Sequence, residues 1–328
     1  MAEFDLIERI RSRCSVTRAD VRLGIGDDAA ILAPPPAHEL VASIDTLVAG
    51  VHFPEASSAR DLGWKALAVN LSDLAAMGAM PAWAMLALTL PDADPTFVEQ
   101  FADGFAELAA QHRVALVGGD TTRGPLSVSV AVHGFVPVER SLRRDGARVG
   151  DHVFVTGTLG DAAAGLRCLD ARDPQAHALF HAPADTREYL LARLHRPTPR
   201  IAAGTALRDF ASACIDVSDG LLADLGHIAA RSEVGIEIDA AALPASSALL
   251  ALFDDAAQRL ALQAAGGDDY ELAFTASPTR AAEVMRDLSR TGSGVTRIGR
   301  VVAAAGVRLL DADGTELFLQ RRGWEHFS

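Results

Sequence analysis

Aspartate recurs in this chain beside glycine or directly after a short apolar run, where a loop would meet the core of a folded protein. These residues are Asp27, Asp28, Asp45, Asp73, Asp120, Asp216, Asp219, Asp268 and Asp269. Taken singly, such an aspartate is an ordinary turn residue, because its side chain can bond to its own backbone. Asp73 differs, since it lies among apolar residues with helical spacing, where a carboxylate is costly unless it has a partner. The pattern favours a fold in which many short strands and helices end in acidic loops.

Strand-like and helix-like segments alternate along the chain. The predicted strands cover residues 40–45, 114–117, 126–136, 152–156, 213–215, 235–238 and 270–275. Two of them end in acids, the first at Asp45 and the second in the loop 118–120. Apolar residues at helical intervals predict helices over 61–78 and 221–231. The fold class is therefore α/β or α+β.

Length and one change in composition indicate two domains. A chain of 328 residues has room for two domains of ~150 residues each. Segment 139–151 is rich in arginine and glycine and has no apolar periodicity, as expected of a boundary. We predict an N-terminal domain over 1–145 and a C-terminal α/β domain over 146–328.

Charge, hydropathy and cysteine content exclude several classes of partner. Lys+Arg 30 against Asp+Glu 43 gives a net charge of −13, which repels nucleic acid and anionic lipid. The longest apolar stretch, 79–90, contains Pro81 and is shorter than the ~20 residues that a membrane span needs. The three cysteines lie far apart with no CxxC pair, so neither a disulfide framework nor a thiolate zinc site is expected. This usage fits a reducing cytoplasm.

The single lysine excludes two common ATP-binding designs. No P-loop is present, because the chain has no glycine-rich string that ends in Gly-Lys-Ser or Gly-Lys-Thr. Lys65 lies in the predicted helix 61–78 and not on a strand, unlike the ATP-binding lysine of protein kinases. A chain of this kind that handles nucleotide phosphates needs cations in place of lysine.

Convergence of the acidic loops would require bound cations, because clustered carboxylates repel one another and raise each other's pKa. Oxygen ligands favour Mg²⁺ over zinc. Glycines beside the acids allow backbone N–H groups to approach phosphate oxygens, and helix N-termini favour anions. Carboxylates, Mg²⁺ and glycine-rich turns together indicate nucleotide phosphate chemistry without lysine.

Six strings, in order over nearly the whole chain, resemble the motifs of the thiamine-monophosphate kinase family. They are 24–30 (GIGDDAA), 45–53 (DTLVAGVHF), 65–79 (KALAVNLSDLAAMGA), 118–124 (GGDTTRG), 215–221 (IDVSDGL) and 266–272 (GGDDYEL). The resemblance implies the aminoimidazole-ribonucleotide synthetase-like fold, in which N-terminal sheets of two subunits close a β-barrel in a homodimer. It implies that ATP and thiamine monophosphate react to ADP and thiamine diphosphate in the cytoplasm, and that the N-terminal domain binds ATP and Mg²⁺.

The resemblance also assigns roles to individual residues. Those assigned to Mg²⁺ are Asp28, Ser43, Ile44, Asp45, Asp73, Asp120, Asp216 and Asp219; those assigned to ATP are Gly119, Asp120, Arg144 and Ser218; those assigned to thiamine monophosphate are His52, Asp268 and Trp324. Three positions depart from the family pattern. Ile44 replaces a threonine and could bind metal only through its backbone carbonyl, Asp268 replaces a glutamate, and Trp324 replaces a tyrosine.

The expected reaction needs no side-chain base or covalent nucleophile. A phosphate monoester has a second pKa near ~6, so a nucleophilic oxygen already exists at pH 7. We therefore predict direct in-line transfer assisted by several Mg²⁺ ions. Two alternatives stay open: another ATP-dependent enzyme of the same superfamily, and a non-catalytic module that binds nucleotides or divalent cations.

Overall fold

The computed structural model describes residues 3–173, 175 and 179–325. The chain divides into two compact units. The first comprises Met1–Leu74 and Ala79–Ser141, and the second comprises Ala75–Gly78 and Leu142–Ser328. None of the helices in the described part of the chain is long and apolar enough to cross a lipid bilayer.

The first unit is built on a four-stranded sheet flanked by helices. Its helices are α1 (Glu3–Arg13), α2 (Ala59–Ala76, whose last two residues belong to the second unit) and α3 (Pro95–His112). Its strands are β1 (Val21–Leu23), β2 (Ile31–Leu32), β3 (His38–Val48), β4 (Met80–Leu90), β5 (Ala115–Arg123) and β6 (Ser127–Pro137). The sheet has the order β3-β6-β4-β5, with β4 and β5 parallel and the other pairs antiparallel. Strands β1 and β2 pair separately.

One face of this sheet is buried and the other is partly exposed. Val130 and Leu86 lie in one buried row across β6 and β4. In the next row, Ile44 of β3 and Met85 of β4 are 66% and 39% exposed. Lys65, the single lysine, is buried on α2 with 3% exposure. The alternation of buried and exposed rows follows from the two-residue period of a strand.

Two strands run further than the sequence predicts. The predicted end of a strand at Asp45 is wrong, because β3 pairs with β6 at every position from His38 to Val48. The predicted loop 118–120 is also wrong, because β5 stays paired with β4 as far as Arg123. In both cases a neighbouring strand supplies hydrogen bonds beyond the point where the apolar run stops.

The second unit is built on a seven-stranded sheet. Its strands are β7 (His152–Thr156), β8 (Ala211–Asp216), β9 (Gly235–Asp239), β10 (Leu272–Ala276), β11 (Val295–Val302), β12 (Gly306–Leu310) and β13 (Glu316–Leu317). Its helices are α4 (Asp161–Arg167), α5 (Ala184–His195), α6 (Ile201–Leu207), α7 (Leu221–Arg231), α8 (Ser247–Leu252), α9 (Ala256–Ala265) and α10 (Ala281–Ser289), with 3₁₀ turns at Ala240–Ala242 and Pro278–Arg280. The strand order is β13-β12-β9-β11-β7-β10-β8.

Helices cover both faces of the seven-stranded sheet. On one face, Leu225 and Ile228 of α7 share a core with Val153 and Val155 of β7. On the other, Phe154 of β7 lies in a core with residues of α6 and α10. Strands that are buried on both faces are mostly apolar, as β7 and β10 are, and such short apolar runs can be recognised in a sequence. The expected mixture of strands and helices in an α/β fold is confirmed.

Candidate functional site

Ser43, Asp45 and Asp73 come together in the first unit. Ser43 and Asp45 lie two residues apart on β3 and therefore share one face of that strand. Ser43 Oγ donates a hydrogen bond of 2.5 Å to Asp73 Oδ2 on α2. The backbone N–H of Asp45 donates over 3.0 Å to Asn70 Oδ1, one helical turn before Asp73. Helix α2 thus accepts a hydrogen bond from a backbone N–H of the edge strand β3 and places the Asp73 carboxylate beside that strand.

Two other residues assigned to Mg²⁺ lie at exposed positions of the same unit. Asp28 is exposed in the loop between β1 and β2, and its backbone N–H donates to Asp27 Oδ1 over 2.9 Å. The side chain of Ile44 alternates to the exposed face of β3, away from Ser43 and Asp45. Any contribution of Ile44 to a metal site would therefore come from its backbone oxygen.

Gly119 and Asp120 lie at the opposite edge of the sheet. Three strand spacings separate β5 from β3, which corresponds to about 14 Å. Across the sheet, Asp120 lies in the same row as Ala87 of β4 and Thr46 of β3, and the side chains of this row are on the exposed face. Asp45, the neighbour of Thr46, has its side chain on the buried face. The first unit therefore does not bring Asp120 to the group formed by Ser43, Asp45 and Asp73.

Gly119 has a backbone that only glycine adopts easily. Its φ is +154°, and an added Cβ would lie 1.9 Å from the carbonyl oxygen of Leu86 on β4. Gly118, its neighbour, has no such restriction, because its Cβ would approach only the terminal methyl of Met85 at 3.3 Å. The glycine at 119 thus allows strand β5 to approach β4 closely.

His52 is held by the turn that follows β3. Its Nδ1 accepts a hydrogen bond of 3.0 Å from the backbone N–H of Val48, so the neutral ring carries its proton on Nε2. The turn is closed by a bond of 2.9 Å from Gly50 N–H to Phe53 O. His52 is half-buried in this turn.

In the second unit, backbone hydrogen bonds join three segments that are distant in sequence. The N–H of Asp268 donates over 2.8 Å to the carbonyl oxygen of Ser218, and the N–H of Trp324 donates over 2.9 Å to that of Asp219. Asp216 ends β8 two residues before Ser218. The structure therefore brings together the residues of this unit assigned to metal, ATP and thiamine monophosphate, with the exception of Arg144.

Arg144 lies outside this group of backbone contacts. Its side chain is exposed, and its carbonyl oxygen accepts a hydrogen bond of 2.8 Å from Ser232 Oγ. The backbone at this position is thus fixed while the guanidinium stays at the surface.

Asp224 is a site residue that sequence reasoning missed. One carboxylate oxygen accepts hydrogen bonds from the N–H groups of Ser218, Asp219 and Gly220, at 3.0, 3.1 and 3.0 Å. Burial raises the pKa of Asp224 to about 7 although these three N–H groups act in the opposite direction. Asp224 therefore occupies the three backbone N–H donors directly before α7, a position where helix N-termini commonly bind anions.

Glu271 lies at the centre of a buried ionic network. Its carboxylate is 0% exposed and accepts hydrogen bonds from Thr156 Oγ1 at 2.7 Å, Arg193 Nη2 at 2.9 Å and Arg200 Nε at 2.6 Å. Arg200 adds a second bond through Nη2, so this contact is bidentate.

Asp269 is the second acid of this network and is also 0% exposed. Its carboxylate accepts from the N–H of Gly160 at 2.7 Å, immediately before α4. Burial raises the pKa of Asp269 well above its usual value, while the Arg193 guanidinium acts in the opposite direction. Asp161 completes the group with a carboxylate oxygen 3.8 Å from Arg193 Nε.

Among the residues that the structure describes, no three His, Cys, Asp or Glu side chains surround a common point as metal ligands. A carboxylate and a hydroxyl already meet at Asp73 and Ser43, and Asp45 lies beside them. Mg²⁺ is commonly held by one or two carboxylates, with water and phosphate oxygens completing its coordination. These donors therefore suit Mg²⁺ that arrives with a nucleotide.

Comparison with known protein families covers both units. Residues 26–136 match the family model of the AIR synthase related protein, N-terminal domain, and residues 148–311 match that of the C-terminal domain. The chain is 48% identical over 326 residues to thiamine-monophosphate kinase of Escherichia coli (strain K12), covering 99% of this chain and 98% of that protein.

Solved structures give the same result. The crystal structure of thiamine-monophosphate kinase from Stenotrophomonas maltophilia K279a has 51% identity and a TM-score of 0.85, with 97% of this chain and 98% of that one covered. The structure of AaThiL complexed with AMPPCP and TMP has 34% identity and a TM-score of 0.78, with 99% and 97% covered.

Proposed function

The chain belongs to the thiamine-monophosphate kinase family, and we propose that it transfers the γ-phosphoryl group of ATP to thiamine monophosphate. The products would be ADP and thiamine diphosphate. The structural observation that carries the proposal is the bond of 2.8 Å between Asp268 N–H and Ser218 O. It joins a residue assigned to the acceptor substrate to one assigned to ATP. A relative solved with AMPPCP and TMP supports both substrates.

The acidic residues of the first unit hold Mg²⁺ in this proposal. Ser43 fixes the orientation of Asp73 through their hydrogen bond, and Asn70 fixes the backbone of Asp45. We assign further Mg²⁺ sites in the first unit to Asp28, Asp120 and the backbone carbonyl of Ile44, and a site within the second unit to Asp216 and Asp219. When bound, Mg²⁺ neutralises phosphate charge and aligns the reacting groups.

The remaining residues bind and orient the two substrates. Gly119 and Asp120 contact ATP from the edge strand β5, where both residues are exposed. Arg144 can donate two hydrogen bonds to phosphate oxygens, because its guanidinium is exposed. Trp324, which is 50% exposed, offers a face for the positively charged thiamine ring system.

His52 and Asp268 complete the contacts to thiamine monophosphate. No residue is needed as a general base, because the acceptor phosphate already carries a nucleophilic oxygen at pH 7. Transfer is direct, so incubation with γ-labelled ATP should leave no label on the protein. A labelled protein that releases its phosphate to thiamine monophosphate would overturn this part.

A coupled ADP-release assay tests the activity. Thiamine monophosphate, thiamine, selenide and aminoimidazole precursors serve as rival acceptors, each with ATP and Mg²⁺. We expect ADP release that depends on thiamine monophosphate and stops when Mg²⁺ is chelated. Release with another acceptor would identify a different enzyme of the superfamily. Nucleotide binding without release would favour the non-catalytic module.

The chain forms a homodimer in this proposal, through the sheet of the first unit. The supporting observation is the row of Ile44 and Met85, apolar side chains that are 66% and 39% exposed. Sedimentation analysis of the unaltered chain and of Met85→Glu tests this, since the charge should shift the population towards monomer. A chain that is monomeric at all concentrations would refute it. A cytoplasmic location is also proposed, in keeping with three cysteines that are buried and free.

A further inference from the structure

The segment that carries Asp268 has an unusual backbone. Asp268 has a φ of +68° and Tyr270 has a φ of +49°, so two residues other than glycine adopt the left-handed region. Tyr270 is a bulky residue with 8% exposure, and its hydroxyl donates to Asp268 Oδ1 over 3.0 Å. Such a backbone persists only where its surroundings hold it in place.

Backbone bonds hold the outer side of the segment. Tyr270 N–H donates to Val217 O at 2.8 Å, and Val217 N–H donates to Glu271 O at 2.8 Å. Together with the bond from Asp268 N–H to Ser218 O, these bonds set the segment against the loop that follows β8.

The buried ionic network holds the inner side. The alternate residues Asp269 and Glu271 insert their carboxylates into the core, while the carboxylate of Asp268 stays half-buried. Arg193 donates through Nη2 both to Glu271 at 2.9 Å and to the carbonyl oxygen of Asp269 at 3.1 Å. Arg200 grips Glu271 from a position 71 residues earlier in the chain. The two arginines thus hold the segment both through a side chain, that of Glu271, and through a main-chain carbonyl, that of Asp269.

We propose that Arg193 and Arg200 are positioning residues for the reaction, which act through Glu271 and Asp269 to hold the Asp268 carboxylate where it meets thiamine monophosphate. This inference rests on the proposed function. The two arginines bond to Asp269 and Glu271, which follow Asp268 by one and three residues, and Asp268 is the residue that the proposed function places against the substrate. Loosening the network should therefore weaken binding of the acceptor and leave the binding of ATP nearly unchanged.

Arg200→Lys is the main test, because it keeps the positive charge and loses the bidentate grip on Glu271. Arg167→Lys is the matched control. Arg167 makes the same bidentate contact, through Nε and Nη2, to Asp173, with 25% of its side chain exposed against 18% for Arg200. We expect Arg200→Lys to raise the KM for thiamine monophosphate about tenfold with the KM for ATP within about twofold. Arg167→Lys should change neither constant.

Asp268→Asn, alone and combined with Arg200→Lys, tests whether the effect passes through Asp268. In a positioning role, Arg200→Lys adds little to the KM for thiamine monophosphate once Asp268 is replaced, because coupled residues are not additive. Equal rises in both KM values, a loss of folding without a KM split, or full additivity in the double variant would overturn the inference. Failure of the proposed function is distinguishable, since the unaltered chain would then release no ADP with thiamine monophosphate.

Discussion

Two Gly-Gly-Asp segments look alike in the sequence and differ in the structure. Residues 118–120 lie within the edge strand β5 and leave Asp120 exposed. Residues 266–268 lie outside any strand or helix, with Asp268 in a left-handed backbone beside two fully buried acids. The difference teaches that a short motif does not determine its own conformation. The neighbours decide it: a parallel strand in the first unit and a buried ionic network in the second.

The same contrast holds for the acids around these segments. Asp28 and Asp120 of the first unit are exposed, as suits groups that receive an ion. Asp161, Asp269 and Glu271 of the second unit are fully buried and already bonded. We therefore expect neutralising Asp28 or Asp120 to affect mainly activity, and neutralising Asp161, Asp269 or Glu271 to affect mainly stability.

Glu271→Gln should give the largest effect, as a loss of stability. The amide leaves Arg193 and Arg200 without their buried carboxylate, and breaking such a group costs about 3–5 kcal/mol of the free energy of unfolding. Urea denaturation measures this cost, with Glu283→Gln as the control because Glu283 is a surface partner of Arg280. If Glu271→Gln lowered the free energy of unfolding by less than about 1 kcal/mol, as is typical of surface ion pairs, the contrast between exposed and buried acids would be contradicted.

Asp73→Asn should instead abolish most activity. The amide keeps the size of the side chain but cannot neutralise a cation, so we expect kcat to fall about 100-fold. Stability should change by less than about 1 kcal/mol, because Asp73 is half-buried beside a serine. The coupled ADP assay at increasing Mg²⁺, together with urea denaturation, separates the two effects. A large loss of stability with normal kcat would place Asp73 among the structural acids.

Gly119→Ala and Gly118→Ala form a matched pair within β5. A Cβ at 119 would meet the Leu86 carbonyl at 1.9 Å, so the pairing of β4 and β5 must shift, at about 2–3 kcal/mol. At 118 the nearest atom is the flexible end of Met85 at 3.3 Å, and the cost should stay below about 1 kcal/mol. Thermal unfolding of both variants measures the difference. Equal losses would show that close approach at 119 is unimportant.

Trp324→Ala should raise the KM for thiamine monophosphate about tenfold and leave the KM for ATP nearly unchanged. The residue is 50% exposed, so stability should change little. Phe318→Ala is the control, since Phe318 is another exposed aromatic of the same C-terminal segment. Equal effects on both KM values would exclude stacking on the thiamine ring.

The smallest expected effect is the slow reaction of the buried cysteines with thiol reagents. Because the first unit contains Cys14 and the second contains Cys214, this reaction allows the two units to be compared. Burial raises the pKa of Cys14 to about 12 and also raises that of Cys214 in the second unit. At pH 8 about one Cys14 in ten thousand would be a thiolate, so a disulfide reagent should react slowly until the chain unfolds. Following each thiol by mass spectrometry along a urea series shows whether the units unfold together. Rapid labelling of either residue in native buffer would contradict its burial.

Much of the fold could be predicted because it depends on local signals. Helix α7 begins and ends at the residues expected, since its apolar residues recur at helical spacing directly after the loop 216–220. The ends of β3 and β5 could not be predicted, because partner strands more than 25 residues away in the chain extend them. Ser43 and Asp73, which the family resemblance assigns to Mg²⁺, lie 30 residues apart in the chain, and nothing in their local sequence predicts the hydrogen bond between them.

The buried network was the hardest part to predict. Asp269 and Glu271 stood in a recognised motif, yet their partners lie up to 115 residues away. Asp224 gave no signal beyond an acid in the first turn of a helix, which is common in proteins. Residue type and spacing thus indicated where acids stand in the chain, whereas only tertiary packing separates the exposed acids from the buried ones that hold the backbone.

The burial of Lys65 has a practical consequence for work on this enzyme. Every exposed cationic side chain that stays charged throughout the neutral and alkaline range is an arginine, because the single lysine lies inside the first unit. Acetylating enzymes and amine-reactive dyes should therefore find no lysine to modify on the surface of the folded chain.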